Sequence, residues 1–230
     1  MIERTANVGD GNPHKASVAC LRRLPSYLQL LRAMQAEGRE YVSGTVLSSV
    51  HSLEPVIVRK DLAFTGVVGK PRLGFRINEL IDAIERFIGW DRSTEAILVG
   101  CGSLGTALLG YSRFHALRLK IVAAFDRDPE KIGNTVHQCP IYAMESLAEF
   151  AGKKHIELGL LTTPASSAQE VANRMVSCGI RGIWNFAPVK LTVPDYVTVQ
   201  KEDLAEGLAV LIHRLRHSTQ ADGAHTAVQI

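Results

Sequence analysis

The sequence predicts an α/β protein with an N-terminal winged helix-turn-helix domain and a C-terminal Rossmann-like domain. Short amphipathic segments separated by turns occupy the first part of the chain, and a glycine-rich segment with apolar residues follows them. From Glu95 onward, apolar runs of strand length alternate with amphipathic stretches of helix length. The chain has 230 residues, of which 46% are hydrophobic, and this is enough to bury two small cores.

The first domain is expected over residues 21–90, after a polar arm. Residues 1–20 contain two glycines and a proline and show no sustained periodicity, which predicts disorder. Beyond the arm, apolar periodicity and stop signals predict three helices, from Leu21 to Gly38, from Thr45 to Val50 and from Pro55 onward, which form a helix-turn-helix over about residues 26–65.

A wing is expected next, over about residues 66–76. The segment TGVVGKPRLGF places three glycines and a proline among apolar residues, a pattern typical of two short strands around a tight turn. The tip of this predicted hairpin carries Lys70 and Arg72. A fourth helix, from Ile77 to Ile88, has apolar residues at helical spacing and closes the domain against Gly89.

The second domain is expected over residues 91–201. Its alternating strands and helices predict a parallel sheet with helices on both faces. A last strand, from Tyr196 to Val199, precedes a helix over residues 202–217 whose leucines share one face. This helix has no obvious partner in its own domain, and residues 218–230 are predicted to form a disordered tail.

The motif VGCGSLGTALLG predicts a dinucleotide site because it follows a strand, opens a helix and precedes an acid at the end of the next strand. Gly100 permits the tight turn, Gly102 lets the backbone approach a pyrophosphate, and Gly105 allows close packing of helix on strand. Asp126 would accept hydrogen bonds from ribose hydroxyls and repel a 2′-phosphate, which favours NAD over NADP. Arg127 would soften this preference. A glycine turn that binds nothing is the structural alternative.

Basic residues are concentrated in the first domain. Residues 1–90 hold 12 Lys and Arg against 9 Asp and Glu, whereas the rest of the chain holds 14 of each. Between Ser43 and Arg76 the numbers are 5 and 2. The predicted third helix carries Arg59 and Lys60, which alone would fit a solvated surface helix. Together with the wing-tip cations, they favour a helix that enters a DNA major groove.

Composition also disfavours several classes of protein. The chain has no run of 18 uncharged apolar residues and no apolar stretch near its start, so a cytosolic protein without a membrane segment is expected. The cysteines form no CxxC motif or Cys/His cluster, which argues against a zinc site or a disulfide framework. Cys20, Cys139 and Cys178 are expected to be structural thiols. Cys101 is the exception to watch, because it lies within the glycine turn.

Longer motifs extend through most of the chain. They are LRRLPSYLQLL, EGREYVS, VRKDLAFTGVVGK, the glycine loop, IVAAFDRDPEKIG, LLTTPA, GIRGIWNFAPVKLTVP and EDLAEGLAVL. In these stretches, from about Leu21 to Leu215, the chain resembles the bacterial redox-sensing transcriptional repressors of the Rex family. The resemblance implies a homodimer with a winged helix joined to a Rossmann domain and a C-terminal helix swapped onto the partner. It also implies that NADH weakens binding to a palindromic operator in double-stranded DNA and that NAD⁺ competes with NADH.

The resemblance assigns roles to single residues by motif. Asp126 would face the ribose, Lys131 the adenosine end, and Phe186 would enter the nicotinamide pocket of the partner. Because oxidised nicotinamide is a cation and the reduced ring is neutral, an apolar pocket built with Phe186 should penalise the oxidised form. The NAD(H)-binding candidates are Gly100, Cys101, Gly102, Ser103, Leu104, Gly105, Asp126, Arg127, Lys131, Thr162, Thr163, Pro164, Asn185 and Phe186.

Two further groups of residues complete the candidate sites. The DNA-binding candidates are Ser43, Arg59, Lys60, Lys70 and Arg72. The family resemblance implies that redox state is coupled to DNA binding through Arg23, Tyr111 and Asp203. An ordinary surface ion pair or core phenol is the alternative for each coupling residue.

The DNA-binding half departs from the family pattern. Ile57 and Val58 precede the basic pair where the family usually has a polar residue, AFTG replaces Ser-Tyr-Phe-Gly, and the wing has Pro71-Arg72 in place of Arg-Gly. These changes keep open a ligand-binding module, for a dinucleotide or a CoA-type ligand, with altered or lost DNA recognition. An NAD-dependent oxidoreductase is the third hypothesis, but its candidate acid-base residues are poorly placed in the predicted fold: His115, His137 and His155.

Overall fold

A computed structural model describes residues 16–223, which divide into two compact units between Arg92 and Ser93. Most of the predicted N-terminal arm and the end of the predicted tail lie outside the described residues. The first unit contains four helices and a two-stranded antiparallel sheet: α1 (Val18–Ala36), β1 (Tyr41–Val42), α2 (Gly44–Val50), α3 (Pro55–Ala63), β2 (Phe75–Arg76) and α4 (Ile77–Ile88).

The first helix begins earlier than predicted. Ser17 caps α1, because its hydroxyl oxygen accepts a hydrogen bond from the Cys20 backbone N–H at 3.2 Å. Cys20 is buried in the core of the unit. The prediction of disorder up to residue 20 is therefore wrong for the last residues of that segment. A serine cap followed by Val18 and Cys20 is a short apolar signal that the composition of the whole arm obscured.

The predicted two-stranded wing hairpin is also wrong in detail. Phe75 and Arg76 pair with Val42 and Tyr41, and a single bridge between Lys70 and Gly74 closes a turn over residues 71–73. A Cβ at Gly74 would overlap the Val42 carbonyl oxygen, so this glycine lets the wing cross β1 closely. The predicted strand that contains Phe75 therefore pairs with β1, which lies far earlier in the sequence, and not with the residues just before the turn.

A buried ion pair joins α1 to α3. The Arg23 guanidinium donates to both Asp61 carboxylate oxygens at 2.6 and 2.7 Å, and the Tyr27 hydroxyl donates to Asp61 at 2.9 Å. Burial acts to raise the pKa of Asp61, but the hydrogen bonds from Arg23 and Tyr27 outweigh it and leave that pKa lowered. Val58 and Leu62 bury the same side of α3 in the core. The network therefore fixes the orientation of α3.

The second unit is a seven-stranded sheet with helices on both faces. The strand order is β5-β6-β4-β3-β7-β8-β9, parallel from β6 to β9, with β5 as an antiparallel edge. The elements are β3 (Thr94–Val99), α5 (Ser103–Leu109), α6 (Arg113–Ala116), β4 (Leu119–Asp126), β5 (Thr135–Val136), β6 (Cys139–Ala143), α7 (Leu147–Lys154), β7 (Leu158–Leu161), α8 (Ala165–Ser177), β8 (Gly182–Asn185), β9 (Thr198–Lys201) and α9 (Leu204–Gly223).

Alternating residues of the central strand β3 face two hydrophobic cores, one on each side of the sheet of this unit. Ile97 and Val99 pack with α7 and α8, while Ala96 and Leu98 pack with Phe114 of α6 on the opposite face. This alternation is the period of two that a strand covered on both faces requires.

Several predicted boundaries in the second unit differ from the structure. The helix after the glycine turn ends at Gly110, where a Cβ would meet the His137 ring at 2.6 Å, and a separate short helix follows. His155 ends α7 in the left-handed region and does not open a strand. The last strand begins at Thr198, two residues after the predicted start. Helix α9 continues to Gly223, beyond the predicted limit at 217.

The side chains described for α9 are exposed. Leu208 and Leu211, which share a face, are 56% and 55% exposed. The helix therefore presents apolar groups that the sheet of its own unit does not cover. No helix within residues 16–223 is long and apolar enough to cross a membrane.

Replacing Asp61 by Asn should unfold the first unit more readily. The change leaves Arg23 without its charged partner, and breaking a buried pair costs about 3 kcal/mol of unfolding free energy. Tyr27→Phe removes one hydrogen bond and should cost about 1.5 kcal/mol. Urea unfolding followed by Trp90 fluorescence in a Trp184→Phe background measures both changes. Glu37→Gln, at an exposed ion pair with Arg39, is the control. A loss below about 1 kcal/mol for Asp61→Asn would contradict the role of the network.

His51 should make the first unit less stable in acid. Its Nε2 is buried without a hydrogen-bond partner in the described structure, its ring packs on Tyr27, and burial lowers its pKa. The unfolded chain therefore takes up a proton before the folded chain does as pH falls below about 6.5. Stability should be full above that pH and decline below it. The decline, measured by the same fluorescence, should be smaller in His51→Phe; equal declines in both proteins would refute this origin.

Candidate functional site

A cavity of about 900 Å³ opens at the carboxyl edge of the parallel sheet, next to the glycine turn. Open α/β sheets place ligands at this edge, where loops from neighbouring strands diverge. Eleven of the fourteen predicted NAD(H)-binding residues line the cavity: Gly100, Gly102, Ser103, Leu104, Asp126, Arg127, Lys131, Thr162, Thr163, Pro164 and Phe186. The other three, Cys101, Gly105 and Asn185, do not line the cavity.

The three glycines of the turn have different surroundings. Gly100 has a φ of +104°, and a Cβ there would lie 2.9 Å from the Thr162 backbone. A Cβ at Gly105 would overlap the Gly100 carbonyl oxygen. Around Gly102, by contrast, there is no atom within 4 Å of a Cβ position, and this residue lines the cavity. The first and third glycines are therefore required by packing, and the second leaves open space where a ligand can approach the backbone.

Asp126 closes the turn from the neighbouring strand. One carboxylate oxygen accepts a hydrogen bond from the Cys101 N–H at 2.7 Å, and the other accepts from the Asp128 N–H at 3.0 Å. Lys131 Nζ lies 3.6 Å from the Asp126 carboxylate and 3.3 Å from that of Asp128. The hydrogen bond to Asp128 raises the pKa of Lys131, so the cation persists between the two acids. The carboxylate is thereby held at the cavity wall in a fixed orientation.

The segment after β7 supplies a second wall. The Thr162 hydroxyl donates to the Gly100 carbonyl at 2.7 Å, which ties this segment to the glycine turn. Thr163 has a buried hydroxyl with no hydrogen-bond partner in the described structure, and it lines the same cavity. A buried hydroxyl without a partner is costly, so this group fits a ligand that supplies one.

Asn185 and Phe186 end β8 in different ways. The Asn185 amide donates to the Val189 carbonyl at 2.8 Å and accepts from the Ala187 N–H at 2.9 Å, so its side chain is committed to the loop. Phe186 lines the cavity of its own chain and packs on Trp184 with ring centroids 5.0 Å apart. The structure thus makes Asn185 a support for the loop that presents Phe186.

Cys101 lies behind the cavity wall. Its side chain is buried, and burial together with the nearby Asp126 carboxylate raises the pKa of Cys101 to about 12. The group is therefore a thiol near neutral pH and a poor nucleophile. All four cysteines are free thiols in the structure. Within residues 16–223, His, Cys, Asp and Glu side chains form no group of three that could hold a metal ion.

One wall of the cavity was missed by sequence reasoning. It is the face of α8 that follows the Thr163 segment, and residues at helical spacing form it: Ser167, Glu170, Val171 and Arg174. Met144 and Glu145, just after β6, and Asp128, after β4, also line the cavity. The i, i+3, i+4, i+7 spacing on a helix that begins at a strand end is the signal that could have found the α8 residues.

The predicted DNA-binding residues lie on the surface of the first unit. Arg59 and Lys60 are exposed on α3, opposite its buried face, and Lys70 and Arg72 are exposed in the wing turn. Lys70 Nζ also lies 5.8 Å from the centre of the Tyr41 ring. Ser43 has a different place: its hydroxyl oxygen accepts from the Val46 N–H at 3.2 Å and caps α2. Four candidates are thus open to a partner, and the fifth begins a helix.

The three predicted coupling residues each have partners within their own unit. Arg23 is held by Asp61, and Asp203 accepts from Lys201 Nζ at 2.9 Å. Tyr111 packs edge-on against Phe114 with ring centroids 5.0 Å apart, and it is partly exposed.

Two family models match different parts of the chain. A model described as "Putative DNA-binding protein N-terminus" matches residues 15–63, and one described as "CoA binding domain" matches residues 91–189. The first covers the helix-turn-helix, and the second covers the cavity and every strand of the sheet except β9. The predicted order of a DNA-binding domain followed by a Rossmann-like domain is confirmed.

Curated relatives and solved structures agree with this division. The chain is 50% identical over 83% of its length to a redox-sensing transcriptional repressor Rex from Treponema denticola, covering 91% of that protein. A Rex from Porphyromonas gingivalis is 35% identical over 85% of this chain and 90% of its own length. The crystal structure of RSP in complex with β-NAD⁺ and operator DNA matches with a TM-score of 0.83 at 28% identity, over 94% of this chain and 99% of that one. RSP in complex with β-NADH matches with a TM-score of 0.82 at 28% identity, over 91% of this chain and 98% of that one. The chain belongs to the Rex family of redox-sensing transcriptional repressors.

Proposed function

We propose that this chain is a transcriptional repressor that binds a palindromic DNA operator as a homodimer and is released from it by NADH. The observation that carries the proposal is a cavity with an open glycine backbone and an unpartnered buried hydroxyl, in a chain that also exposes a basic recognition helix. The matches to RSP bound to β-NAD⁺ with operator DNA, and to β-NADH, support both halves of the proposal.

The cavity residues suit a dinucleotide in a defined orientation. Asp126 would accept hydrogen bonds from the adenosine ribose, and Gly102 would let a pyrophosphate approach backbone N–H groups. The Thr163 hydroxyl would gain the partner that it lacks in the described structure. The fixed Asp126 carboxylate would repel a 2′-phosphate, so NAD(H) is favoured over NADP(H), and Arg127 at the cavity wall would reduce this discrimination.

Discrimination between redox states would fall to Phe186. Its ring lines the cavity of its own chain, and a cation loses more hydration than a neutral ring in such apolar surroundings. The family resemblance implies that, in a homodimer, the ring lies in the partner's cavity instead, where its apolar surface would have the same effect. NADH would therefore be favoured over NAD⁺ by the protein environment alone.

The dimer would be built with α9. Leu208 and Leu211 are exposed on one face of this helix, and a second copy that receives the helix would cover them. Arg23, Tyr111 and Asp203 would then couple ligand state to the positions of the recognition helices. A coupling free energy of about 1–3 kcal/mol is enough to change operator affinity by one or two orders of magnitude.

No enzymatic role is proposed. Among the described residues, no histidine lines the cavity. His137 lies against Gly110, which does not line the cavity either. A cytoplasmic location follows from the proposed role on DNA. A second candidate function is a dinucleotide- or CoA-type sensor without specific DNA recognition, which the match to the "CoA binding domain" model and the apolar residues before Arg59 favour.

Operator binding should be reversed by NADH and spared by NAD⁺. A labelled palindromic duplex, titrated with protein at fixed salt and followed by fluorescence anisotropy, measures this. Arg59→Ala with Lys60→Ala should abolish binding and keep NADH affinity, because the two cations supply groove and phosphate contacts. Lys153→Ala with Lys154→Ala, which removes two exposed cations from α7, is the matched control. If NADH binds the wild-type protein and no duplex does, the second candidate function replaces the first.

Asp126→Ala should weaken NADH binding about 10- to 100-fold, because hydrogen bonds to a charged group contribute about 1.5–3 kcal/mol. Isothermal titration calorimetry with NADH gives the change. Glu149→Ala, at an exposed ion pair on α7, should leave the affinity unaltered. An Asp126→Ala protein with wild-type NADH affinity would remove this carboxylate from the site.

A further inference from the structure

The apolar run before the basic pair of α3 divides into residues with different surroundings. Val58 is fully buried in the core of the first unit, and Ile57 is half-buried. Val56, a branched apolar residue, is 50% exposed. Core packing therefore accounts for an apolar residue at Val58, but it does not account for the valine at Val56.

Val56 shares a helix face with the two exposed cations. Residues three and four apart lie above one another on a helix, so Val56, Arg59, Lys60 and Ala63 form one stripe. All four are exposed. Asp61, the acid within the same helix, points the other way and is held by Arg23. The exposed stripe of α3 thus combines one branched apolar group with two positive charges.

Valine is a costly choice at such a position. Its β-branched side chain lowers helix propensity relative to alanine, and the half of it that is exposed gains nothing from contact with water. Both costs are offset if a partner covers the side chain while the neighbouring cations meet negative charge. A DNA major groove meets these conditions, because phosphates line its edges and the thymine C5-methyl is the apolar group that its base pairs present.

We propose that Val56 is a specificity-determining residue that packs against a thymine methyl group in each operator half-site. The proposal rests on the proposed function, since it requires α3 to enter a major groove. Its partner would be thymine in double-stranded DNA, and contacts of Arg59 and Lys60 with the groove would bring Val56, on the same stripe, to the base edges.

The expected effect is set by the burial of one methyl group. Loss of one such contact should lower affinity about fourfold per half-site, and loss in both half-sites of a palindrome about 15-fold. The contact can be removed from either side, because 2′-deoxyuridine differs from thymidine only in lacking the methyl group.

The test uses a duplex selected by the full-length protein from a randomised palindromic library. Each thymine of the selected site is replaced in turn by uracil, symmetrically in both half-sites, and affinities are measured by anisotropy for wild type, Val56→Ala and Val56→Thr. At one thymine position, uracil should weaken wild type about 15-fold and Val56→Ala less than about twofold. Val56→Thr keeps the branched shape and exchanges one methyl for a hydroxyl, so its sensitivity should also fall. Val18→Ala, at a valine 62% exposed on α1, should retain the wild-type response.

Two results would overturn the inference while leaving the proposed function intact. In the first, no uracil replacement weakens wild-type binding. In the second, wild type and Val56→Ala respond equally to every replacement, so the methyl contact is made by another residue. If no duplex is selected and none binds, although NADH does, the proposed DNA-binding function fails and the Val56 contact fails with it. Thermal melting of each variant verifies that the first unit is folded.

Discussion

The close contact between the glycine turn and the end of β7 is the constraint on which the candidate site depends. No Cβ fits at Gly105, because it would overlap the Gly100 carbonyl oxygen, and the Thr162 hydroxyl donates to that same oxygen. These contacts hold the start of α5 against two neighbouring strands. The cavity is therefore framed by backbone packed on backbone, which adjusts less than side chains do. A ligand meets a surface that is already formed.

Asp126 extends this constraint to the next strand. Its carboxylate accepts from the N–H groups of Cys101 and Asp128, so one side chain joins the glycine turn to the loop after β4. Asp126 also lines the cavity. Lys131 offsets part of the charge that Asp126 and Asp128 together place there. Asp126 thus both supports the glycine turn and lines the candidate site, so a substitution there affects both roles.

Sequence reasoning succeeded where the signal was local and failed where the partner was distant. The helix over Ile77–Ile88 has the predicted bounds because its apolar period and its terminal glycine lie within a few turns. The glycine turn and Asp126 follow from a short motif with a mechanical reason for each residue. The wing differs because Phe75 pairs with Val42, more than thirty residues earlier. The α8 wall escaped notice because its residues are of ordinary types, and only the fold turns their face toward a cavity.

Arg23 shows how the proposed coupling must work if it passes through this residue. Its guanidinium donates from two nitrogens to Asp61, and 27% of the side chain is exposed. A guanidinium has five N–H donors, so a further carboxylate such as Asp203 of a partner can bind beside Asp61 without displacing it. Displacement would cost about 3–5 kcal/mol, more than the 1–3 kcal/mol typical of coupling between sites. We therefore expect α1 and α3 to move together as one body, and the recognition helix to change its position without losing its support.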